Sequence, residues 1–288
     1  MQIGSYNNLT IKSKTSDGLV LSNEEGENAL LPYSSAPADA EMGDNLFVFV
    51  YHNKEGALLA TTKRPYACVG DFAYLKVVGE SDKGAFIDIG IDKDVFVPKR
   101  EQRKPMFSGE SYVVYLFLDE QDERIIASSY LEEFIEIDSL ELEEGEEVSL
   151  LIAEASDLGY TAIINNKYIG LIYRNEVYEG VEIGESRQGF IRKIRENKKI
   201  DLSLRPIGFD FILESRDSLY DLLKANGGVL KLGDKSAPED IHHHLKMSKK
   251  AFKQTIGGLY KQRLITISDY EIRLNPEVDH NSVDEEAD

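Results

Sequence analysis

The chain has 288 residues, of which 42% are hydrophobic and 30% are charged, as in folded globular proteins. No apolar run approaches the ~18–20 residues of a membrane span, and the N-terminus lacks the basic and apolar segments of a secretion signal. Cys68 is the only cysteine, which excludes an intramolecular disulfide and a cysteine-based zinc cluster. We therefore expect a cytoplasmic protein of several domains with no membrane association.

The net charge of −19 is unevenly distributed along the chain. Residues 119–147 carry thirteen acids and one base, and residues 276–288 carry six acids and no Lys or Arg. These patterns predict a solvated linker and a disordered acidic tail. Residues 187–199 and 241–268, by contrast, are strongly basic, and the second segment contains no acid. Because basic surfaces attract phosphates, these two islands are candidate nucleic-acid contacts.

A repeat runs through the first two thirds of the chain, in steps of 66 and then 75 residues. A glycine turn recurs at Gly18, Gly84 and Gly159, and a Gly-acid pair recurs at residues 43–44, 109–110 and 184–185. Each unit alternates polar turns with short runs rich in β-branched and aromatic residues. In the second unit the predicted strands are residues 73–78, 85–89, 94–98, 112–117 and 124–127. Five short strands favour a small closed barrel, which leaves no exposed edge.

The periodicity becomes helical after residue 207. Apolar residues at helical spacing precede Gly227-Gly228, and a short strand follows at residues 229–232. Two more helices are predicted; Ser248 caps the second, whose apolar face consists of Phe252, Ile256 and Leu259. A hairpin over residues 264–274 completes the order of a winged helix, with the basic helix in the place of the recognition helix.

The second unit contains Asp82-Lys83-Gly84-Ala85-Phe86, Ile87-Asp88-Ile89, Val95-Phe96-Val97-Pro98 and Gly109-Glu110, in that order. This order resembles the S1 RNA-binding motif, a member of the OB-fold group. The third unit resembles it at residues 157–160, 184–185 and 199–204, and the first is degenerate. Three S1-type units and a winged helix resemble the conserved virulence factor B (CvfB) family, whose members are RNA-binding regulators of gene expression in bacteria. The resemblance covers nearly the whole chain except the acidic tail, and it implies RNA as the ligand.

We therefore predict a multidomain, mainly β protein: three tandem OB-fold (S1-type) five-stranded barrels followed by an α/β winged-helix domain. The predicted domains are residues 1–64 (the degenerate barrel), 65–133, 134–206 and 207–275, with a disordered acidic tail at 276–288.

The S1 resemblance implies three ligand positions: an aromatic after the glycine turn, a group ending the third strand, and a base near the final strand. The second unit has Phe86, Pro98 and Arg124 there, although many S1 domains have His in place of Pro98, and Phe86 could also be a core residue. The third unit has Thr161, Tyr173 and Lys199, with Tyr160 beside the first, whereas the first unit has Val20, Pro32 and Leu58. We expect the third unit and the winged helix to form the main surface. The candidate RNA-binding residues are Phe86, Arg124, Tyr160, Tyr173, Arg187, Arg192, Lys193, Arg195, Lys198, Lys199, Lys246, Lys249, Lys250, Lys253, Lys261 and Arg263.

No catalytic, cofactor or metal site is predicted. His242, His243 and His244 are adjacent on one predicted helix and face different directions, unlike an i, i+4 zinc pair. The expected function is non-catalytic binding of single-stranded RNA that regulates gene expression post-transcriptionally, with the ribosome or RNA-processing machinery as candidate partners. Two alternatives stay open: a DNA-binding winged-helix transcription factor, and a protein-interaction adaptor on a ribosome or RNase.

Overall fold

The computed structural model describes residues 1–136, 139–174, 177, 180–205, 209–245 and 247–275. The chain divides into two units, Met1–Leu204 and Arg205–Asp288. In the described residues the first unit forms three closed five-stranded barrels, and the second forms three helices and a three-stranded sheet. The predicted fold class is confirmed. None of the helices in these residues is both long enough and apolar enough to cross a lipid bilayer.

The three barrels have the same strand order. The first consists of β1 (Ser5–Lys14), β2 (Gly18–Ser22), β3 (Asn28–Pro32), β4 (Asn45–His52) and β5 (Leu58–Thr61). The second consists of β6 (Phe72–Ser81), β7 (Gly84–Ile87), β8 (Val95–Pro98), β9 (Ser111–Leu118) and β10 (Ile125–Ser128). The third consists of β11 (Glu147–Ala155), β12 (Gly159–Ile164), β13 (Tyr168–Tyr173), β14 (Ser186–Ile194) and β15 (Ile200–Ser203). In each, the third strand pairs in parallel with the fifth, and the fourth closes on the first, which is OB topology. All these strands fall within the predicted domain ranges, whose boundaries stay a prediction.

The glycine anchors of the repeat have a steric cause. A Cβ on Gly18, Gly84 or Gly159 would lie 2.2, 2.2 or 2.0 Å from the carbonyl oxygen of Leu31, Val97 or Ile172, respectively, on the neighbouring strand. Such an approach is possible only without a side chain, so glycine lets the second and third strands pair closely. The first strand of each barrel also has a bulge at the same register, at residues 11–13, 77–79 and 152–154.

Neighbouring barrels of the first unit pack through apolar side chains. Phe49 and Tyr51 of β4 belong to the same buried cluster as Val77 and Ile87 of the second barrel. A separate cluster around Phe72 and Ile163 joins the second and third barrels. Neighbouring barrels therefore bury apolar surface against each other and are not connected by linkers alone.

The second unit has the predicted winged-helix order. It contains α1 (Phe209–Ala225), β16 (Val229–Leu230), α2 (Pro238–Leu245), α3 (Lys249–Lys261), β17 (Ile265–Ile267) and β18 (Ile272–Leu274), with the sheet order β16-β18-β17. Ser248 caps α3, since its hydroxyl accepts a hydrogen bond from the Ala251 N–H at 3.2 Å. Phe252, Ile256 and Leu259 are buried, as predicted. The predicted acidic tail, residues 276–288, lies outside the described residues.

Candidate nucleic-acid interface

A groove of about 720 Å³ crosses the second barrel. We call it the barrel-2 groove. It combines aromatic, cationic and acidic side chains with a few small or apolar ones; its lining is Lys54, Ser81, Asp82, Lys83, Phe86, Lys93, Asp94, Phe96, Pro98, Lys99, Arg100, Asp119, Arg124, Ile125 and Ile126. Six of these residues are cationic and three are acidic. In a chain with a net charge of −19, this groove is a local concentration of positive charge.

Two phenylalanines on neighbouring strands line the barrel-2 groove. Phe86 on β7 pairs directly with Phe96 on β8, and their ring centroids are 5.1 Å apart. Both rings are half-exposed, whereas the adjacent Ala85 and Ile87 are buried inside the barrel. Since successive residues of a strand face opposite sides of the sheet, the outer face of β7 and β8 carries the aromatics. Phe86 is therefore a surface residue, not a core residue.

Arg124 lies where β9 turns into β10. Its Nε donates to the Asp122 carboxylate at 2.6 Å, and this hydrogen bond raises the pKa of Arg124 and lowers that of Asp122. The guanidinium is half-exposed and borders the groove. Arg124 therefore keeps its charge at every physiological pH, held in place by its acidic neighbour.

Lys93 lies deeper in the barrel-2 groove than the other lysines. Burial lowers the pKa of its ammonium, and the nearby Arg124 lowers it further. The ammonium donates a hydrogen bond to the carbonyl oxygen of His52 in the first barrel. Lys93 thus joins the groove of the second barrel to the first barrel.

The third barrel presents a different face at the matching positions. Tyr173 ends β13, and its hydroxyl accepts a hydrogen bond from Arg195 at 2.5 Å. The Nε of Arg195 lies 3.0 and 3.1 Å from the two carboxylate oxygens of Asp201, and this contact raises the pKa of the guanidinium. Asp201 itself is buried. Two candidate residues, Tyr173 and Arg195, are therefore already hydrogen-bonded within the protein, and the negative charge of Asp201 opposes binding of a phosphate beside them.

The other candidates of the third barrel do not form a single cluster. Arg192 and Lys193 are exposed on β14, and Lys198 and Lys199 are exposed in the turn before β15. Tyr160 is half-buried and packs against the barrel core. Arg187 lies apart from them, in a cleft of about 430 Å³ that Phe72 of the second barrel also lines.

The winged helix presents its basic residues on α3 and directly after it. Lys250, Lys253 and Lys261 are exposed on α3, Lys249 is half-buried, and Arg263 is exposed after it. Lys253 forms an ion pair with Asp234 at 2.9 Å. Lys246 lies outside the described residues.

Sequence reasoning missed several residues of the barrel-2 groove. They are Lys54, Lys83, Lys93, Phe96, Lys99 and Arg100. Strand alternation could have placed Phe96 beside Phe86, and the run Lys99-Arg100 is visible in the sequence. Lys54 lies in another repeat, and nothing local connects it to this site.

Comparison with known proteins gives independent evidence on both units. The family model of the S1 domain matches residues 3–63 and 69–128, and that of the CvfB-like winged helix domain matches residues 217–274. The first barrel, degenerate by its motif, thus lies within a matched range. The proteins named conserved virulence factor B are 27% identical in Staphylococcus epidermidis and 29% in Staphylococcus aureus, over 94% of this chain and 94% of theirs. A solved multidomain protein with nucleic acid binding domains from Streptococcus pneumoniae is 23% identical over 95% of this chain and 98% of its own, with a TM-score of 0.39.

Tandem S1 barrels and a winged helix define a protein built from nucleic-acid-binding domains. The resemblance to the conserved virulence factor B family is confirmed, since the family's own winged helix model matches and its named members align along nearly the whole chain.

Proposed function

We propose that this protein is a non-catalytic, cytoplasmic RNA-binding protein that holds single-stranded RNA and regulates gene expression post-transcriptionally. The barrel-2 groove is the observation that carries the proposal. A single strand exposes both its bases and its phosphates, so it needs stacking surfaces beside positive charge. Phe86 and Phe96 supply the stacking surface, and six surrounding cations supply the positive charge.

The groove favours a single strand over a duplex. In a duplex the bases are paired and stacked on one another, so they are not free to stack on protein rings that line a groove. Further candidate phosphate contacts lie on β14 of the third barrel and in the turn after it, and on α3 and directly after it; they are Arg187, Arg192, Lys193, Arg195, Lys198, Lys199, Lys249, Lys250, Lys253, Lys261 and Arg263. In this proposal the barrel-2 groove, rather than the third barrel and the winged helix, is the main site, because six cations there outnumber three acids beside two half-exposed aromatic rings.

The test is fluorescence anisotropy of labelled single-stranded oligo(U), measured at two salt concentrations. The variants are the charge reversals Lys99→Glu/Arg124→Glu in the groove and Lys193→Glu/Lys199→Glu in the third barrel. Lys12→Glu/Lys14→Glu is the matched control, since both lysines are exposed on β1 and neither lines the groove. We expect salt-sensitive binding that the groove reversal weakens most and the control leaves nearly unchanged.

Competition with duplex DNA separates this proposal from the DNA-binding alternative. Unlabelled single-stranded RNA should displace the probe at lower concentration than duplex DNA does. Absence of oligo(U) binding at low salt overturns the RNA proposal, and preferential displacement by duplex DNA favours a transcription factor.

A further inference from the structure

The first barrel has no ligand site of its own in the matching place. The positions equivalent to Phe86, Phe96 and Arg124 hold Val20, Leu30 and Leu58, none of which is aromatic or charged. Yet the turn between β4 and β5 reaches the second barrel, and its Lys54 lines the barrel-2 groove. We infer that the groove is a composite site of two barrels, in which Lys54 binds a phosphate of the single strand that stacks on the second barrel. This inference rests on the proposed function.

The turn that carries Lys54 is anchored to the second barrel. The carbonyl oxygen of His52 accepts a hydrogen bond from the ammonium of Lys93. The Nδ1 of His52 lies 3.2 Å from the carbonyl oxygen of Glu123, in the turn that leads to Arg124. Two turns from different barrels therefore lie side by side, and Lys54 and Arg124, which follow the contacting residues, both line the groove.

Hydrogen bonds within the turn between β4 and β5 also order its backbone. The side-chain oxygen of Asn53 accepts hydrogen bonds from the N–H groups of Glu55 at 3.0 Å and Ala57 at 2.9 Å. Lys54 is exposed and forms no ion pair with any residue that the structure describes. Its charge is thus presented from an ordered backbone and is available to an external anion, so the turn itself needs no ordering on binding.

The junction between the two barrels keeps this geometry constant. The N–H of Tyr66 donates to the carbonyl of Ile89 at 2.8 Å, and the N–H of Val69 donates to that of Gly4 at 2.8 Å. Lys63 and Asp92 form an ion pair across the same junction. Burial lowers the pKa of Lys93, and the charges of Arg124 and Lys54 lower it further against the opposing effect of Asp122 and Glu55. A phosphate between these three cations relieves their mutual repulsion.

The experiment compares the salt dependence of oligo(U) binding for the 288-residue chain and three variants. Lys54→Gln removes the charge, Lys54→Arg keeps it, and Lys12→Gln removes an exposed lysine of the same barrel outside the groove. Loss of one phosphate contact should reduce the slope of log K against log salt by about 0.7, which is roughly a fivefold loss of affinity at 0.1 M salt. We expect this for Lys54→Gln alone, with Lys54→Arg and Lys12→Gln close to wild type.

Two different results would contradict the two claims. If Lys54→Gln keeps the wild-type slope while the groove reversal Lys99→Glu/Arg124→Glu weakens binding, the composite site is wrong and the RNA proposal stands. If the wild-type protein does not bind oligo(U) at low salt, the proposed function fails, and the composite site fails with it. A similar loss of slope in Lys12→Gln would also overturn the inference, because the effect would then reflect general charge rather than this turn.

Discussion

Phe86 and Phe96 face each other across neighbouring strands, with ring centroids 5.1 Å apart and ring planes inclined by 42°. The pair lies outside the barrel and leaves ring surface open to the groove. Cross-strand aromatic pairs stabilise a sheet by less than ~1 kcal/mol, so such a half-exposed pair adds little to the fold. This ring surface is therefore available to a ligand in the groove.

Phe86→Ala should weaken binding of single-stranded oligo(U) by a factor of roughly 5 to 150. This range corresponds to the ~1–3 kcal/mol that stacking of one base contributes. The salt dependence should stay near that of the wild type, because no charge is removed. Fluorescence anisotropy at two salt concentrations measures both quantities.

Phe107→Ala is the matched control for this prediction. Phe107 is an exposed aromatic residue of the same barrel that lies outside the barrel-2 groove. Its removal should leave the affinity for oligo(U) unchanged. Equal losses in the two variants would mean that the Phe86 effect is not specific to the groove.

Asp201→Asn should strengthen oligo(U) binding and make it more sensitive to salt. The substitution removes a buried negative charge from the face of the third barrel and releases Arg195 from its paired hydrogen bonds. Arg195 is then available to a phosphate. Glu143→Gln removes an exposed acid from the segment before β11 and should have a smaller effect. Weaker binding by Asp201→Asn with an intact fold would show that the pairing positions Arg195 for RNA.

The sequence predicted the fold well because its determinants are local. A glycine stands at the position of Gly84 in every repeat, because the carbonyl oxygen of the neighbouring strand leaves no space for a Cβ. Ser248 caps α3 through a hydrogen bond to a residue only three positions away. Strand alternation likewise separates Phe86 from the buried Ala85 and Ile87. Each of these features is decided within a few residues or between adjacent strands.

The site was predicted less completely because it depends on packing between distant residues. Lys54 reaches the barrel-2 groove only because the first barrel packs on the second. The pairing of Arg195 with Asp201 was also missed, since a basic run in sequence does not reveal which charges are neutralised in the fold. Phe96 stands in an apolar run, so hydrophobicity alone does not separate it from the core, and only strand alternation could have placed it beside Phe86.

Gly84→Ala should destabilise the protein and disturb the groove together. A Cβ there would lie 2.2 Å from the Val97 carbonyl oxygen and 2.8 Å from the ring of Phe96. Overpacking of this kind costs ~1–3 kcal/mol. Gly79→Ala is the control on the adjacent strand, because its Cβ would meet nothing closer than 3.8 Å. Urea unfolding should show a lower midpoint for Gly84→Ala only; similar midpoints for the two variants would contradict the steric explanation of the repeat.

Asn166 connects the third barrel to the second by three hydrogen bonds. Its side-chain oxygen accepts from the Phe72 N–H at 2.8 Å, and its amide nitrogen donates to the Gly70 carbonyl at 3.0 Å and to the Asp71 carboxylate at 3.1 Å. Asn166→Ala leaves the Phe72 N–H without this partner at a half-buried junction, which should cost ~1–3 kcal/mol in the free energy of unfolding. Hydrogen exchange of the Phe72 amide should become faster.

Asn165→Ala is the neighbouring control, because both asparagines have positive φ, 49° for Asn165 and 57° for Asn166. The backbone strain introduced by alanine is therefore similar, whereas the Asn165 side chain accepts its hydrogen bond from Ser149 of its own barrel at 2.9 Å. Both variants should lower stability, but only Asn166→Ala should expose the Phe72 amide. If both speed its exchange equally, general loss of stability, rather than the bridge between barrels, protects that amide.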